Sequence, residues 1–255
     1  MQAQALSPQV PQTAASAEAG PRLDCYAGIH KALRLAMTNA LTAVGSTDPG
    51  TPAEVEATLD RVQRLLALCE LHLKDENEFV HPALERARPG SAARIAAEHV
   101  HHAEAIADLR DLAALVADST GTPRAAALAR LYRTLALFVA DNFQHMNVEE
   151  TVHNPLLWAA YSDEQIDAIE HAIVASIPPE LMMEALHWFV PALSAPERAG
   201  MLAGMSQGMP PEAFRAVLGI AERTLEPSAF ARLRRDLGLP DSEPVALRPA
   251  FNAAR

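Results

Sequence analysis

Several kinds of residue are scarce in this chain, and each shortage narrows what it does. Only Cys25 and Cys69 are available as thiols, so neither a disulfide framework nor a Cys-x2-Cys zinc or redox centre is indicated. Lysine and arginine number 21 against 32 acidic residues, a formal net charge of −11. That balance disfavours a nucleic-acid partner, because sequence-independent binding to phosphate requires clustered cations. No apolar run approaches the ~18 residues that mark a membrane span. The first residues, Met1 to Pro8, lack the basic and apolar regions of a signal peptide. The expectation is a cytoplasmic protein with no membrane partner. Alternating Val/Ile/Thr/Tyr runs flanking Asn-Gly or Asp-Gly turns are also missing, so sheet signals are nearly absent.

What is present is alanine and leucine at helical spacing, within an apolar content of 49% that can build a sizeable core. The fold class is therefore all-α. Residues 1–22, rich in Gln, Ala, Ser, Pro and Thr, read as a disordered N-terminal tail. A first helix starts near Asp24 as N-cap and runs to about Val44, with Ile29, His30, Leu33, Met37 and Leu41 on its inner side. A second begins at Pro52 and continues for about thirty residues through Val55, Leu59, Val62, Leu66, Cys69, His72 or Leu73, Glu76 and Val80. Ser91 caps a third, which reaches Asp118 with Ile95, His99, His102, Ile106 and Leu109 inward. The fourth runs from about Arg124 to the neighbourhood of His153, with Leu128, Leu131, Leu135, Phe138, Asn142, His145 and Glu149 inward.

The connections between these helices are short, and short connections favour antiparallel neighbours. The expected architecture is an up-down-up-down four-helix bundle over residues 23–158, followed by a C-terminal helical appendage over residues 159–255. In the appendage, Ser162-Asp-Glu-Gln165 has capping-box form, and Pro178-Pro179, Ser194-Ala-Pro196 and Pro210-Pro211 look like helix starts. Gly204, Gly208 and Gly238 look like breaks. These C-terminal helices are the expected surface for a protein partner or for self-association.

Two segments share a frame. His72-x3-Glu76 and His145-x3-Glu149 are each followed by proline ten residues after the histidine, at Pro82 and Pro155. Residues four apart lie on one helical face, so each segment offers an imidazole nitrogen and a carboxylate oxygen to one point. In an up-down-up-down bundle, His30 and His99, near the starts of helices one and three, meet His72 and His145, near the ends of two and four. The candidate metal ligands are thus His30, His72, Glu76, His99, His102, His145 and Glu149. Two first-row metal ions bridged by the two glutamates would use all seven and leave one position open. The donor mixture suits iron, manganese or zinc.

A single inward histidine is more often a hydrogen-bonded core residue than a ligand. Five histidines and two glutamates gathered without metal would leave many buried polar groups unsatisfied. His101 points away from the stripe and reads as solvated. Asp75, Glu78, His81 and His153 read as residues of solvated faces or helix ends, with Glu78 able to reach the ligands from outside. Glu150 competes with Glu149 for the bridging place. Cys69 reads as a small core hydrophobe, and Trp158 and Trp188 as packing residues joining bundle and appendage.

These residues resemble the hemerythrin-like (HHE) cation-binding proteins. The resemblance is carried by Ile29-His30-Lys-Ala-Leu33, His72-x3-Glu76 to Pro82, Glu98-His99-x2-His102 and His145-x3-Glu149 to Pro155, in chain order from about residue 24 to 158. It implies a four-helix bundle with a carboxylate-bridged non-haem di-iron centre that binds or senses a small ligand such as O2, NO or peroxide. Oxygen-carrying members have His-x3-His on helix three and His-x4-Asp on helix four, where this chain has His99-x2-His102 and His145-x3-Glu149. The iron-sulfur-repair branch has an N-terminal cysteine pair, and Cys25 stands alone. Beside reversible O2 or NO binding, two other functions are consistent with such a chain. One is a redox enzyme acting on peroxide or NO, or handling iron under oxidative or nitrosative stress. The other is a metal-stabilised structural module.

Overall fold

The computed structural model describes residues 22–240, so the expected N-terminal tail lies outside the described residues except for Arg22. Asp24 opens the first helix from outside it: its Oδ1 accepts from the backbone N–H groups of Tyr26 and Ala27, both at 3.0 Å, which satisfies donors that have no intrahelical partner. Helix α1 spans Ala27–Ser46 and buries His30, Leu33, Met37, Ala40 and Val44. Its buried Ala32, Ala36, Ala40 and Ala43 allow close packing. Helix α2, Pro52–Asp75, starts on a proline whose missing N–H costs nothing in the first turn.

α2 passes without a break through a five-residue π-helical turn, Glu76–Val80, into α3, His81–Ala87. The turn to α4, Ala93–Asp118, is built differently from the expected Ser91 cap. The Ser91 hydroxyl donates back to the Leu84 carbonyl at 2.9 Å, while Glu85 accepts from the N–H groups of Gly90 and Ala92. Gly90 takes φ +83° there, a conformation that costs glycine little. α5 spans Gly121–Val148 and runs through a second π-helical turn, Glu149–His153, into α6, Asn154–Ala160.

Helix α1 packs on α2 and α5, and α4 packs on α2 and α5, which closes the up-down-up-down bundle. Its core includes Leu33, Met37, Leu65, Leu66, Leu109, Leu131 and Leu135, each fully buried leucine contributing about 1.5–3 kcal/mol. A second apolar cluster closes the end of the bundle that holds the histidines. It contains Tyr26, Val80, Ala83, Leu84, Leu157 and Ile166. Polar ties fasten this end: Arg22 donates to the carbonyls of Trp158 and Tyr161, the Trp158 indole to the Leu23 carbonyl, and the Tyr161 hydroxyl to the Ala83 carbonyl.

The C-terminal region forms α7 (Asp163–Ser176), α8 (Pro179–Ala192), α9 (Ala195–Gly208), α10 (Pro211–Thr224) and α11 (Pro227–Asp236). Ser162 and Ser194 both complete capping boxes, with Gln165 and Glu197. Gly204, read as a break, lies inside α9, where the burial of Leu202 against α10 and α11 outweighs the weak helix preference of one glycine. Helix α8 belongs to both parts of the molecule. Ala185 enters the bundle core, and Leu186 and Val190 enter the appendage core with Val217, Ile220 and Leu233. Gly28 of α1 faces the Phe189 ring of α8 at this contact. Among the described residues, no helix is long and apolar enough to cross a membrane.

Candidate metal centre

The two π-helical turns determine which side chains meet. Pro82 and Pro155 have no N–H, and their rings would strike the carbonyls four residues earlier in a regular α-helix. The helix widens instead: the N–H of His81 bonds the Glu76 carbonyl, and that of Asn154 bonds the Glu149 carbonyl, each five residues back. Such single wide turns occur often at functional sites. Residue 81 therefore stands one helical turn above Glu76, where an uninterrupted α-helix would place residue 80.

Glu76 and Glu149 lie at the centre, 3% and 1% exposed, and each divides its oxygens between two groups of imidazoles. Glu76 Oε1 is 3.5 Å from His72 Nε2, and its Oε2 is 3.3 Å from His99 Nε2. Glu149 Oε2 is 3.3 Å from His30 Nε2, and its Oε1 is 3.2 Å from His145 Nε2. Donor atoms of His30, His72, Glu76 and Glu149 all lie within 4.8 Å of one another, as do those of Glu76, His81, His99 and Glu149. His145 joins the second group through Glu149 and through His99 Nε2 at 3.1 Å. These are two donor sets sharing both carboxylates.

Several imidazoles are aimed from behind. His30 Nδ1 is 2.9 Å from Glu150 Oε1, and the two terminal nitrogens of Arg34 donate to the Glu150 carboxylate, one to each oxygen. His145 Nδ1 is 3.0 Å from Glu98 Oε2, and His99 Nδ1 is 2.9 Å from Asn77 Oδ1. With Nδ1 engaged, Nε2 faces the centre with its lone pair, the arrangement expected around metal-binding histidines. A surface groove lined by Arg94, Glu98, Asp141, Gln144 and Asn147 reaches His145.

The residues present suit a metal cation. Both oxygens of Glu76 and of Glu149, together with Nε2 of His30, His72 and His81, are buried without a hydrogen-bond partner. Buried polar atoms are almost always paired, so a cluster of inward orphans calls for a cation. The protonation energetics agree at Glu149, His72, His81 and His99, whereas at Glu76 the ionised form needs a cation beside it. Burial and the neighbouring Glu149 push the Glu76 carboxyl far up. Burial opposes the charge of Glu149, but the neighbouring imidazoles of His145 and His30 hold its carboxyl well below the usual range. Burial keeps His72 neutral, and lowers His81 to about 4 and His99 to about 3. Neutral imidazole and ionised carboxylate are the metal-ligating forms.

The structure parts from the sequence reading at several residues. It does not bring His102 into either donor set: His102 Nε2 turns outward to Asp141 Oδ2 at 2.9 Å. Three residues beyond His99, His102 sits ~4.5 Å further down the helix, toward the bundle core. His81, read as a solvated or helix-end residue, is 7% exposed and its ring centre lies 4.7 Å from that of His99. His153, given the same reading, is 4% exposed, and Asp75 is 6% exposed. Glu78 pairs with Lys74 in solvent, and its neighbour Asn77 is the residue that reaches a ligand from outside. Glu150 holds His30 and does not compete with Glu149. The signal that could have found His81 is Pro82, whose need for a wide turn shifts the helical phase by one residue.

A model of the hemerythrin HHE cation-binding domain matches residues 23–157. No curated protein and no solved structure matches the chain.

Proposed function

Since the chain belongs to the hemerythrin HHE cation-binding family, we propose that its buried centre holds two iron ions and reversibly binds, or senses, O2 or NO in the cytoplasm. One observation carries this reading. Glu76 and Glu149 each turn one oxygen toward the His30/His72 group and the other toward the His81/His99/His145 group, which is what two carboxylates bridging a pair of ions must do. His30 and His72 would hold one ion. His81, His99 and His145 would hold the other.

A bound iron pair supplies ferrous-to-ferric chemistry toward small oxidants. The protein supplies the rest. Its apolar end cluster of Tyr26, Val80, Leu84, Leu157 and Ile166 keeps bulk water away, and Glu150, Glu98 and Asn77 fix the imidazoles on the centre. Two histidines on one side against three on the other leave unequal room for an external ligand.

Metal analysis of anaerobically purified protein, followed by rapid mixing of the ferrous form with O2, NO and peroxide, tests the reading. The expected outcome is two irons per chain and a stable, reversible O2 or NO adduct. Repeated consumption of any of these molecules would make the protein a redox enzyme. Zinc in place of iron, with no response to oxidants, would leave only a structural metal site.

A further inference from the structure

The chain has three tyrosines, and two are readily accounted for. Tyr161 donates to the Ala83 carbonyl, and Tyr132 is exposed to water. Tyr26 is different. It is 2% exposed, packed among Val80, Ala83, Leu84 and Leu157, and its hydroxyl has no hydrogen-bond partner. A buried tyrosine hydroxyl ordinarily finds one, because desolvating it alone is costly.

The position of Tyr26 says where the missing partner belongs. Its ring centre lies 5.3 Å from that of His30, which in turn lies 5.4 Å from that of His72. This is the side of the centre with only two imidazoles. Burial acts most strongly on the phenol, followed by the charges of Glu76 and Glu149, which outrank that of Asp24 two residues away in the chain. The hydroxyl thus feels the two shared carboxylates more than its own neighbours. A phenol ordinarily keeps its proton at neutral pH and is a donor.

We propose that the Tyr26 hydroxyl donates a hydrogen bond to the small external ligand bound on the His30/His72 side of the centre, selecting molecules with a compact oxygen or nitrogen acceptor. The proposal rests on the di-iron reading above. It adds a specificity-determining donor at the N-cap of α1, one turn before His30.

Tyr26→Phe removes one oxygen and nothing else, and two measurements bear on it. In the metal-free protein the variant should melt at the same temperature as wild type or higher, because an orphaned hydroxyl is lost. A lower melting temperature would show that the hydroxyl has a structural partner and would overturn the proposal. In the ferric, iron-loaded protein, azide is the probe, titrated by its visible absorption. The variant should keep its iron and bind azide about five- to tenfold more weakly, the loss of one hydrogen bond.

Equal azide affinity in the two proteins would overturn the role of Tyr26 and leave the di-iron reading standing. A tyrosinate-to-iron absorption band in wild type, absent from the variant, would also overturn it by making Tyr26 a ligand. Wild-type protein that holds no iron, or holds iron and binds no azide, would defeat the underlying reading and the proposal with it.

Discussion

His81 stands one turn above Glu76 because its backbone N–H donates to the Glu76 carbonyl across a π-helical turn. An ordinary α-helix would have placed Val80 there and carried His81 round toward the outside. One proline, Pro82, thus accounts for a histidine on the metal side of the bundle.

His81 and His102 can be separated by experiment. His81→Ala should lower iron affinity by at least tenfold, as a direct donor is lost, whereas His102→Ala should change it far less, because His102 pairs with Asp141 outside both donor sets. Chelator competition followed by metal analysis checks this. The reverse order would return His102 to the ligand set in place of His81.

Glu150 orients His30 from behind, and its bonds to His30 and Arg34 hold its carboxyl down at about 2. Glu150→Gln should weaken metal binding by roughly 10–100-fold, the range found when a partner behind a ligating histidine is removed. Circular dichroism should be unchanged. Unaltered affinity in the same chelator assay would show that His30 needs no such support.

Acid should destabilise the metal-free fold in part through His81 and His99. Both have an ordinary value of 6.5, and burial lowers them to about 4 and about 3 in the folded chain. The unfolded chain therefore binds more protons below pH 6.5. Their contribution to stability is complete above that pH and is lost as pH falls, His81's share by about 4 and His99's by about 3. His30 and His145, held up by Glu149 and by Glu150 or Glu98 against the opposing effect of burial, act in the other direction. Urea midpoints of metal-free His81→Gln should accordingly fall less between pH 6.5 and 4 than those of wild type. Parallel curves would contradict the assignment.

Arg198 is buried in the appendage, donating from Nε to the Val190 carbonyl at 2.5 Å and from a terminal nitrogen to the Leu193 carbonyl at 2.6 Å. It satisfies the last carbonyls of α8, the helix shared with the bundle. Arg198→Met should cost about 1–3 kcal/mol through those orphaned acceptors, with metal content unchanged. Denaturant unfolding followed by Trp188 fluorescence, which reports the α8 contact with the bundle, measures it.

The sequence by itself determined the all-α class, the four long helices and the gathering of His30, His72, His99 and His145 at one end of the bundle. Helical period and loop length settle those features, and both survive errors of a residue or two at helix ends. It also placed Glu76 and Glu149 on inward faces, because i and i+4 share a face in any α-helix. The tertiary structure decided the finer matters. His81 came near the carboxylates because Pro82 forces a wide turn and moves the helical phase, which a uniform period of 3.6 does not contain, and His102 Nε2 met Asp141. Glu150 and Glu98 took up positions behind His30 and His145, and the residues packed round Tyr26 left its hydroxyl unpaired. Such pairings depend on which side chains from different helices come within hydrogen-bond distance, and spacing along one helix carries no information about its neighbours.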